Sequence, residues 1–336
     1  MASGWNPGGR SDKFLVRVTP GKEGRLGSVD IATYLDERMH RRFTGELRAL
    51  GFNEPISRYE ELNNEERGEI RVLFGWDIDQ SVVDACPALE WIQGAGAGVD
   101  WLAPVRLPQQ VTVTRIIDRF GPDMGEFALL SVLAWVKDYR RIYQQQVRKE
   151  WGRYLVGSMA GLTVGVLGAG SIGSHIASVF KPLVREVRAL GRRRPEVDGV
   201  RGFSSQEWTS FYTELDVLIM VLPHTPDTHR SVGKEQFALM RPGGFLVNLG
   251  RGPILDEDEF VAAIRLGQLS GGALDVFSLE PLPAESSLWE LPGVTVTPHI
   301  SGPSRADGMA AVFLENLSRF RAGRPLLGVV DWKRGY

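Results

Sequence analysis

Residues 163–173 read Thr163-Val-Gly-Val-Leu-Gly-Ala-Gly-Ser-Ile-Gly173. The first five form a short apolar run of strand type, and Ser174–Phe180 has helical spacing. Between them, glycines at 168, 170 and 173 make the G-x-G-x-x-G pattern of a dinucleotide-binding turn. Alone the pattern is a weak signal, but a strand before it and a helix after it are the context it needs. Gly168 permits the tight turn, Gly170 lets the backbone approach a pyrophosphate, and Gly173 lets the helix pack close to the strand. Backbone N–H groups at the start of the helix, around Ser171 and Ile172, then hold the phosphates. The plain alternative is a glycine-rich turn without a ligand, and the strand–turn–helix context argues against it.

Downstream, the strand candidates are Val187–Leu190, Val217–Val221, Phe245–Asn248, Gly272–Val276 and Val294–Thr297. With Thr163–Leu167 they give six strands joined by helical segments, the plan of a doubly wound dinucleotide-binding domain. The second strand ends as Leu190-Gly191-Arg192-Arg193-Arg194, without the carboxylate that an NAD site places there. A basic turn at this position suits the 2′-phosphate of NADP; otherwise it is a solvated turn in an Arg-rich chain.

Upstream, Lys13 to Asp118 also alternates strands and helices. Phe14–Val18 is a strand candidate, and Ile31–Leu50 has helical spacing and stops at Gly51. Strands are expected at Ile70–Phe74, Leu89–Ile92 and Val111–Thr114, with a short helix at Ser81–Cys86 ended by Pro87. The strand at Leu89–Ile92 runs into Gly94-Ala-Gly-Ala-Gly-Val-Asp100. One long helix, uninterrupted by Gly or Pro between Phe127 and Trp151, is expected from Met124 to Trp151. After His299 only 37 residues remain, with one helix at about Ser304–Arg321, too little to fold alone. The expected fold is therefore α/β in two domains, a doubly wound Rossmann domain (119–299) inserted into a substrate domain (13–118 and 300–336). Residues 1–12 read as a disordered leader.

The length, 336 residues, agrees with about two domains. Lys+Arg 39 against Asp+Glu 41 leaves a net charge of −2, without the basic excess of a nucleic-acid binder. The single cysteine, Cys86, excludes an internal disulfide framework and reads as a small buried apolar residue in a reducing compartment. No apolar run approaches a membrane span and the N-terminus lacks a secretory signal, so a cytoplasmic protein is expected.

Three polar residues stand just past successive strand ends: Arg251 in Val-Asn-Leu249-Gly250-Arg251-Gly, Glu280 in Ala-Leu-Asp275-Val-Phe-Ser-Leu-Glu280-Pro-Leu, and His299 in Thr-Pro-His299-Ile-Ser. Ligands of open parallel sheets bind in the crevice beyond these ends. Singly, the first two read equally well as surface charges and His299 as a satisfied loop histidine. Together, a cation, a carboxylate and an imidazole make an acid/base site for hydride-transfer chemistry. His224 and His229 lie five apart with Pro226 between them, a spacing that argues against a metal site, and no other metal-ligand set is visible.

These motifs together resemble the D-isomer-specific 2-hydroxyacid dehydrogenases, over about Leu89 to Arg324. The Gly-Ala-Gly-Ala-Gly-Val-Asp stretch, the Thr-Pro-His-Ile-Ser-Gly-Pro-Ser ending and the basic Leu-Gly-Arg-Arg-Arg turn are most similar to the glyoxylate/hydroxypyruvate reductase A branch. The resemblance implies catalytic Arg251, Glu280 and His299, a flavodoxin-like substrate domain, and a substrate carboxylate held by the N–H groups of Ala97 and Gly98. It implies that Asp275 meets the nicotinamide carboxamide and that Leu222-Pro223-His224-Thr225-Pro226-Asp227-Thr228 is the family's cofactor loop, with Leu249 and Gly250 also beside the cofactor. Trp76, after the Ile70–Phe74 strand, stands where it would wall the substrate pocket, or else packs as a partly exposed ring.

The implied activity is NADPH-dependent reduction of small 2-oxo acids such as glyoxylate or hydroxypyruvate to D-2-hydroxy acids, with NAD as a second cofactor and a homodimer as the assembly. His299 is the implied proton donor. Two rivals share the fold: a nucleotide-sensing corepressor, and a phosphite or formate dehydrogenase. Formate dehydrogenases carry Gln where Glu280 stands, and the chain shows no long interaction tail of the corepressor kind.

Overall fold

The structure, a computed structural model, describes residues 30–332. The leader and the Phe14–Val18 strand candidate lie outside the described residues. Two parallel sheets organise the remainder. The first contains β1 (Ile31–Tyr34), β2 (Ser57–Arg58), β3 (Val72–Gly75), β4 (Trp91–Gly94) and β5 (Thr112–Thr114), in the order β2-β1-β3-β4-β5. This is the flavodoxin-like strand order. The second contains β6 (Thr163–Leu167), β7 (Glu186–Gly191), β8 (Arg201–Ser204), β9 (Val217–Met220), β10 (Gly244–Asn248), β11 (Leu269–Leu274) and β12 (Val294–Val296). Its order, β12-β11-β10-β9-β6-β7-β8, is doubly wound, reversing direction between β6 and β9. Every residue of β3, β4, β6, β9 and β10 is buried, as expected of parallel strands covered on both faces.

Three expectations are corrected. The segment expected to be one helix over Ile31–Leu50 opens as β1, which pairs with β2 and β3, and only Glu37–Ala49 is helical. The apolar spacing of a four-residue buried strand resembles one helical turn, while the true start is marked by Asp36, whose carboxylate accepts the Met39 N–H at 2.9 Å. The single helix expected over Met124–Trp151 is two, Gly121–Val136 and Tyr139–Arg148. The break is Asp138, which adopts a left-handed φ of 49° and caps the second helix. Aspartate tolerates that conformation better than most residues, so the chain turns without Gly or Pro. Finally, the second sheet has seven strands rather than six. The extra one, β8, is an edge strand in which only Phe203 is buried, so it carries almost no apolar pattern.

The helix Ala306–Arg321 returns to the first sheet. Phe313 stacks on Trp91 at 5.4 Å and meets Phe43 and Phe74 edge-on at 5.5 Å. Fully burying such a ring stabilises the fold by about 1.5–3 kcal/mol. A buried polar network fixes its register. The Asn316 amide donates to Gln93 Oε1 and to the Leu327 carbonyl, each at 3.0 Å, and its oxygen accepts the Leu327 N–H at 2.8 Å. The Trp91 indole donates to Thr114 Oγ1, which donates to Gln93 Oε1. The C-terminal ends of the two sheets face one another.

Candidate active site

A cleft of about 1090 Å³ lies between those ends. The glycine turn lines one wall. Gly168 has φ of 104°, and a Cβ on Gly173 would fall 1.9 Å from the Gly168 carbonyl oxygen, so both positions need glycine to let the helix Ser171–Phe180 start against β6. Its capping residue, Gly170, offers no side chain, and the first backbone hydrogen bond back to it comes from Ser174. The N–H groups at the helix start are thus free to bind an anion. The Arg192–Arg194 turn follows β7 along the same wall. Arg194 is paired with Glu207, whereas Arg192 and Arg193 are exposed and make no ion pair among the described residues. Orphan N–H groups for phosphates and two uncommitted guanidiniums beyond them fit a dinucleotide.

The first sheet supplies the opposite wall through Trp76 and the loop Gly96–Trp101. Neither the Ala97 nor the Gly98 N–H is used in a backbone hydrogen bond among the described residues. Trp76 packs over the loop, its indole Nε1 lying 3.2 Å from where a Cβ on Gly96 would sit. Arg251, just past β10, reaches across. Its Nε donates to Asp100 Oδ2 at 2.7 Å and its Nη1 to the Gly250 carbonyl at 2.8 Å.

Glu280 and His299 face the same space. His299 Nδ1 is 2.8 Å from Glu280 Oε2, and Glu280 Oε1 accepts the Phe277 N–H at 2.9 Å. A carboxylate only accepts, so Nδ1 carries a proton in this contact and Nε2 is the nitrogen left for chemistry. His299 itself has a left-handed φ of 51°, held by its N–H bond to the Asp275 carbonyl at 2.9 Å.

Gly168, Gly170, Ser171, Ile172, Gly173, Arg192, Arg193, Leu222, Pro223, Leu249, Gly250, Ala97, Gly98 and Trp76 all line the cleft with the three acid/base residues. Asp275 and Thr228 do not. Asp275 is fully buried, and its carboxylate accepts Thr297 Oγ1–H at 2.6 Å, the Ile300 N–H at 2.9 Å and the Ser301 N–H at 2.8 Å. It anchors the segment carrying His299. Thr228 Oγ1 accepts the Thr225 N–H and donates to the Pro223 carbonyl, closing its own loop. His224 and His229 meet at 3.1 Å between Nε2 and Nδ1, and no group of three metal-ligating side chains exists among the described residues. Cys86 is buried, which pushes its thiol up to about 11. Two cleft residues escaped the sequence: Asp100, the acid closing the glycine-rich loop after β4, and Asp118, whose carboxylate meets Ser171 Oγ.

A doubly wound nucleotide domain facing a flavodoxin-like one, with a cation and a carboxylate–imidazole pair at the shared strand ends, defines an oxidoreductase of the two-domain, dinucleotide-dependent class. A family model described as D-isomer specific 2-hydroxyacid dehydrogenase, NAD binding domain, matches residues 129–301. The chain is 34% identical over 256 residues to a glyoxylate/hydroxypyruvate reductase A of Serratia proteamaculans, covering 74% of this chain and 82% of that one. It is similar to a D-isomer specific 2-hydroxyacid dehydrogenase of Xanthobacter autotrophicus solved with NADPH and MES. There the TM-score is 0.83 at 31% identity, over 92% of this chain and all of that one. An NADPH-dependent glyoxylate/hydroxypyruvate reductase of Sinorhizobium meliloti, solved with NADP and sulfate, gives 0.84 at 25% identity, over 91% and 99% of the two chains. The protein belongs to the D-isomer specific 2-hydroxyacid dehydrogenases.

Proposed function

We propose that this protein uses NADPH to reduce small 2-oxo acids, glyoxylate and hydroxypyruvate among them, to D-2-hydroxy acids. One observation carries this reading: Arg251 and the Glu280–His299 pair line the same cleft as the glycine turn and the unpaired Arg192 and Arg193. The activities named for the Serratia and Sinorhizobium relatives support the substrate class, and the NADPH and NADP in the two solved structures support the cofactor.

When bound, NADPH supplies the hydride. Arg251 binds the substrate carboxylate and carbonyl oxygen with the donors that Asp100 and Gly250 leave free, and polarises the C=O bond. The N–H groups of Ala97 and Gly98 take the rest of the carboxylate. His299 gives the proton on Nε2 to the carbonyl oxygen as negative charge develops there. Glu280, bonded to Nδ1, orients the ring and stabilises its charged form. Arg192 and Arg193 bind the 2′-phosphate, and Trp76 limits substrate size. Closure of the two domains over the substrate is what excludes water and completes the site.

The same reading takes 119–299 as the nucleotide-binding domain, inserted between the two parts of the substrate domain, 13–118 and 300–336. It takes the protein as a cytoplasmic homodimer that binds no nucleic acid. The net charge of −2 and the single buried cysteine support the setting. Support for the dimer comes from the exposed apolar side chains of Tyr143, Val147, Trp151 and Leu155 on and after the helix Tyr139–Arg148. No described helix is long and apolar enough to cross a membrane.

The test is a steady-state panel of 2-oxo acids, phosphite and formate with NADPH and NADH. Reduction of glyoxylate or hydroxypyruvate with NADPH is expected. Turnover of phosphite or formate alone, or NADPH binding without turnover of anything, would overturn the reading.

A further inference from the structure

The ion pair between Arg251 and Asp100 spans the cleft. Arg251 follows β10 of the second sheet and Asp100 follows β4 of the first, 151 residues apart in the chain. On area and exposure alone it would pass for a surface pair, since the side chains are 26% and 41% exposed, and such pairs contribute little to stability. Its geometry says more. Two hydrogen bonds hold the Arg251 guanidinium, Nε to Asp100 and Nη1 to the Gly250 carbonyl, and Nη2 lies where a Cβ on Gly98 would sit. Gly250 is the neighbour of Arg251 and moves with it, and Gly98 only limits where Nη2 can go. Among the described residues, Asp100 is the side chain that grips the fork from the other domain. A long arginine side chain has many rotamers, and a charge-assisted bond to Nε selects the one that turns its remaining donors along the Ala97–Gly98 loop.

We propose that Asp100 is a positioning residue: it sets the Arg251 guanidinium in its working orientation and makes that orientation depend on the two domains being apposed. This rests on the role given to Arg251 above. The consequence is that the carboxylate-binding fork is complete only when the two domains are apposed. Asp100 does not need to touch the substrate, and as a carboxylate it would repel one.

The experiment is a double-mutant cycle on the full-length protein with NADPH and glyoxylate. Misplacement of a reacting or binding group by about 1 Å can cost 10²-fold, so Asp100→Ala should lower kcat by roughly 10- to 100-fold, and KM should rise as well because the same fork binds the substrate carboxylate. Asp100→Asn, which keeps an oxygen for Nε, should recover most of that loss. In an Arg251→Lys background, which has no Nε fork to hold, adding Asp100→Ala should cost less than about 3-fold more. NADPH affinity, read by fluorescence titration, should stay at the wild-type value in all Asp100 variants. Wild-type kcat in Asp100→Ala beside an impaired Arg251→Lys would overturn this inference and leave the role of Arg251 standing, as would fully additive losses in the double variant. Full activity of Arg251→Lys alone would overturn the role of Arg251 and this inference with it.

Discussion

Gly98 lies so close to Arg251 that a Cβ added to it would fall 1.5 Å from Nη2. The obstructed atom is the tip of a flexible side chain, so the fold can accommodate a methyl group by letting the guanidinium swing away. What moves is the group that meets the substrate. Gly98→Ala should therefore fold normally, with a melting temperature within a few degrees of wild type, about the shift that 1 kcal/mol produces in a protein this size or larger. Its kcat/KM should nevertheless fall by at least about 10-fold, which is about 1.4 kcal/mol of transition-state stabilisation. Wild-type activity in this variant would mean that the guanidinium works from another position.

His299→Ala should reduce turnover by about 10²- to 10⁴-fold, the usual contribution of a positioned acid or base, while NADPH affinity stays unchanged. Glu280→Gln should have a smaller effect in the same direction, because the amide still holds Nδ1 at the 2.8 Å contact but no longer opposes the imidazolium charge. Stopped-flow single turnovers check both points, and wild-type turnover in His299→Ala would exclude His299 as the donor.

Asp275 and Thr297 give a stability prediction. The buried Asp275 carboxylate satisfies the Thr297 hydroxyl and two backbone N–H groups of the segment that follows His299. Asp275→Ala leaves those donors unpaired, at a cost of at least about 1–3 kcal/mol. Urea unfolding should show this loss, and kcat should fall because His299 is no longer held. A variant of wild-type stability with only a raised KM for NADPH would instead favour a direct contact with the nicotinamide carboxamide.

The parts of this site that were legible in the sequence are those whose meaning is local. The turn Gly168–Gly173 reads from eleven consecutive residues, because a strand, three glycines and a helix start leave one backbone solution. Arg251, Glu280 and His299 each stand just past an apolar strand, so their common destination follows from the sheet. Asp100 was not legible, because its partner is 151 residues away and an acid after a glycine loop looks like any solvated turn. Asp138 hid its helix break because a left-handed aspartate has no compositional mark. Asp275 and Thr228 sit where family motifs put them, but motif position does not name a side chain's partners: Asp275 holds the segment after β12, and Thr228 closes its own loop.

Cofactor choice turns on the three arginines after β7, and the structure divides their roles. Arg194 is committed to Glu207, which also accepts the Ser204 hydroxyl and N–H, so it braces the turn. Arg192 and Arg193 are exposed beside the cleft and free of ion pairs among the described residues. A 2′-phosphate is present only on NADP(H), whereas the pyrophosphate held by the helix start is common to both cofactors and cannot discriminate. A hydrogen bond to a charged group contributes roughly 1.5–3 kcal/mol, so one arginine contact should favour NADPH over NADH by about 10- to 150-fold and two by somewhat more. Arg192→Ala/Arg193→Ala should raise the KM for NADPH toward that for NADH while barely changing the latter. Arg194→Ala should leave the ratio of the two kcat/KM values near wild type, and the melting temperature too, because so exposed a pair contributes little to stability. The preference should also weaken with added salt, because two exposed guanidiniums are screened within a Debye length of about 8 Å at physiological ionic strength. Equal use of the two cofactors by the wild type, or an unchanged preference in the double variant, would reduce Arg192 and Arg193 to a solvated turn.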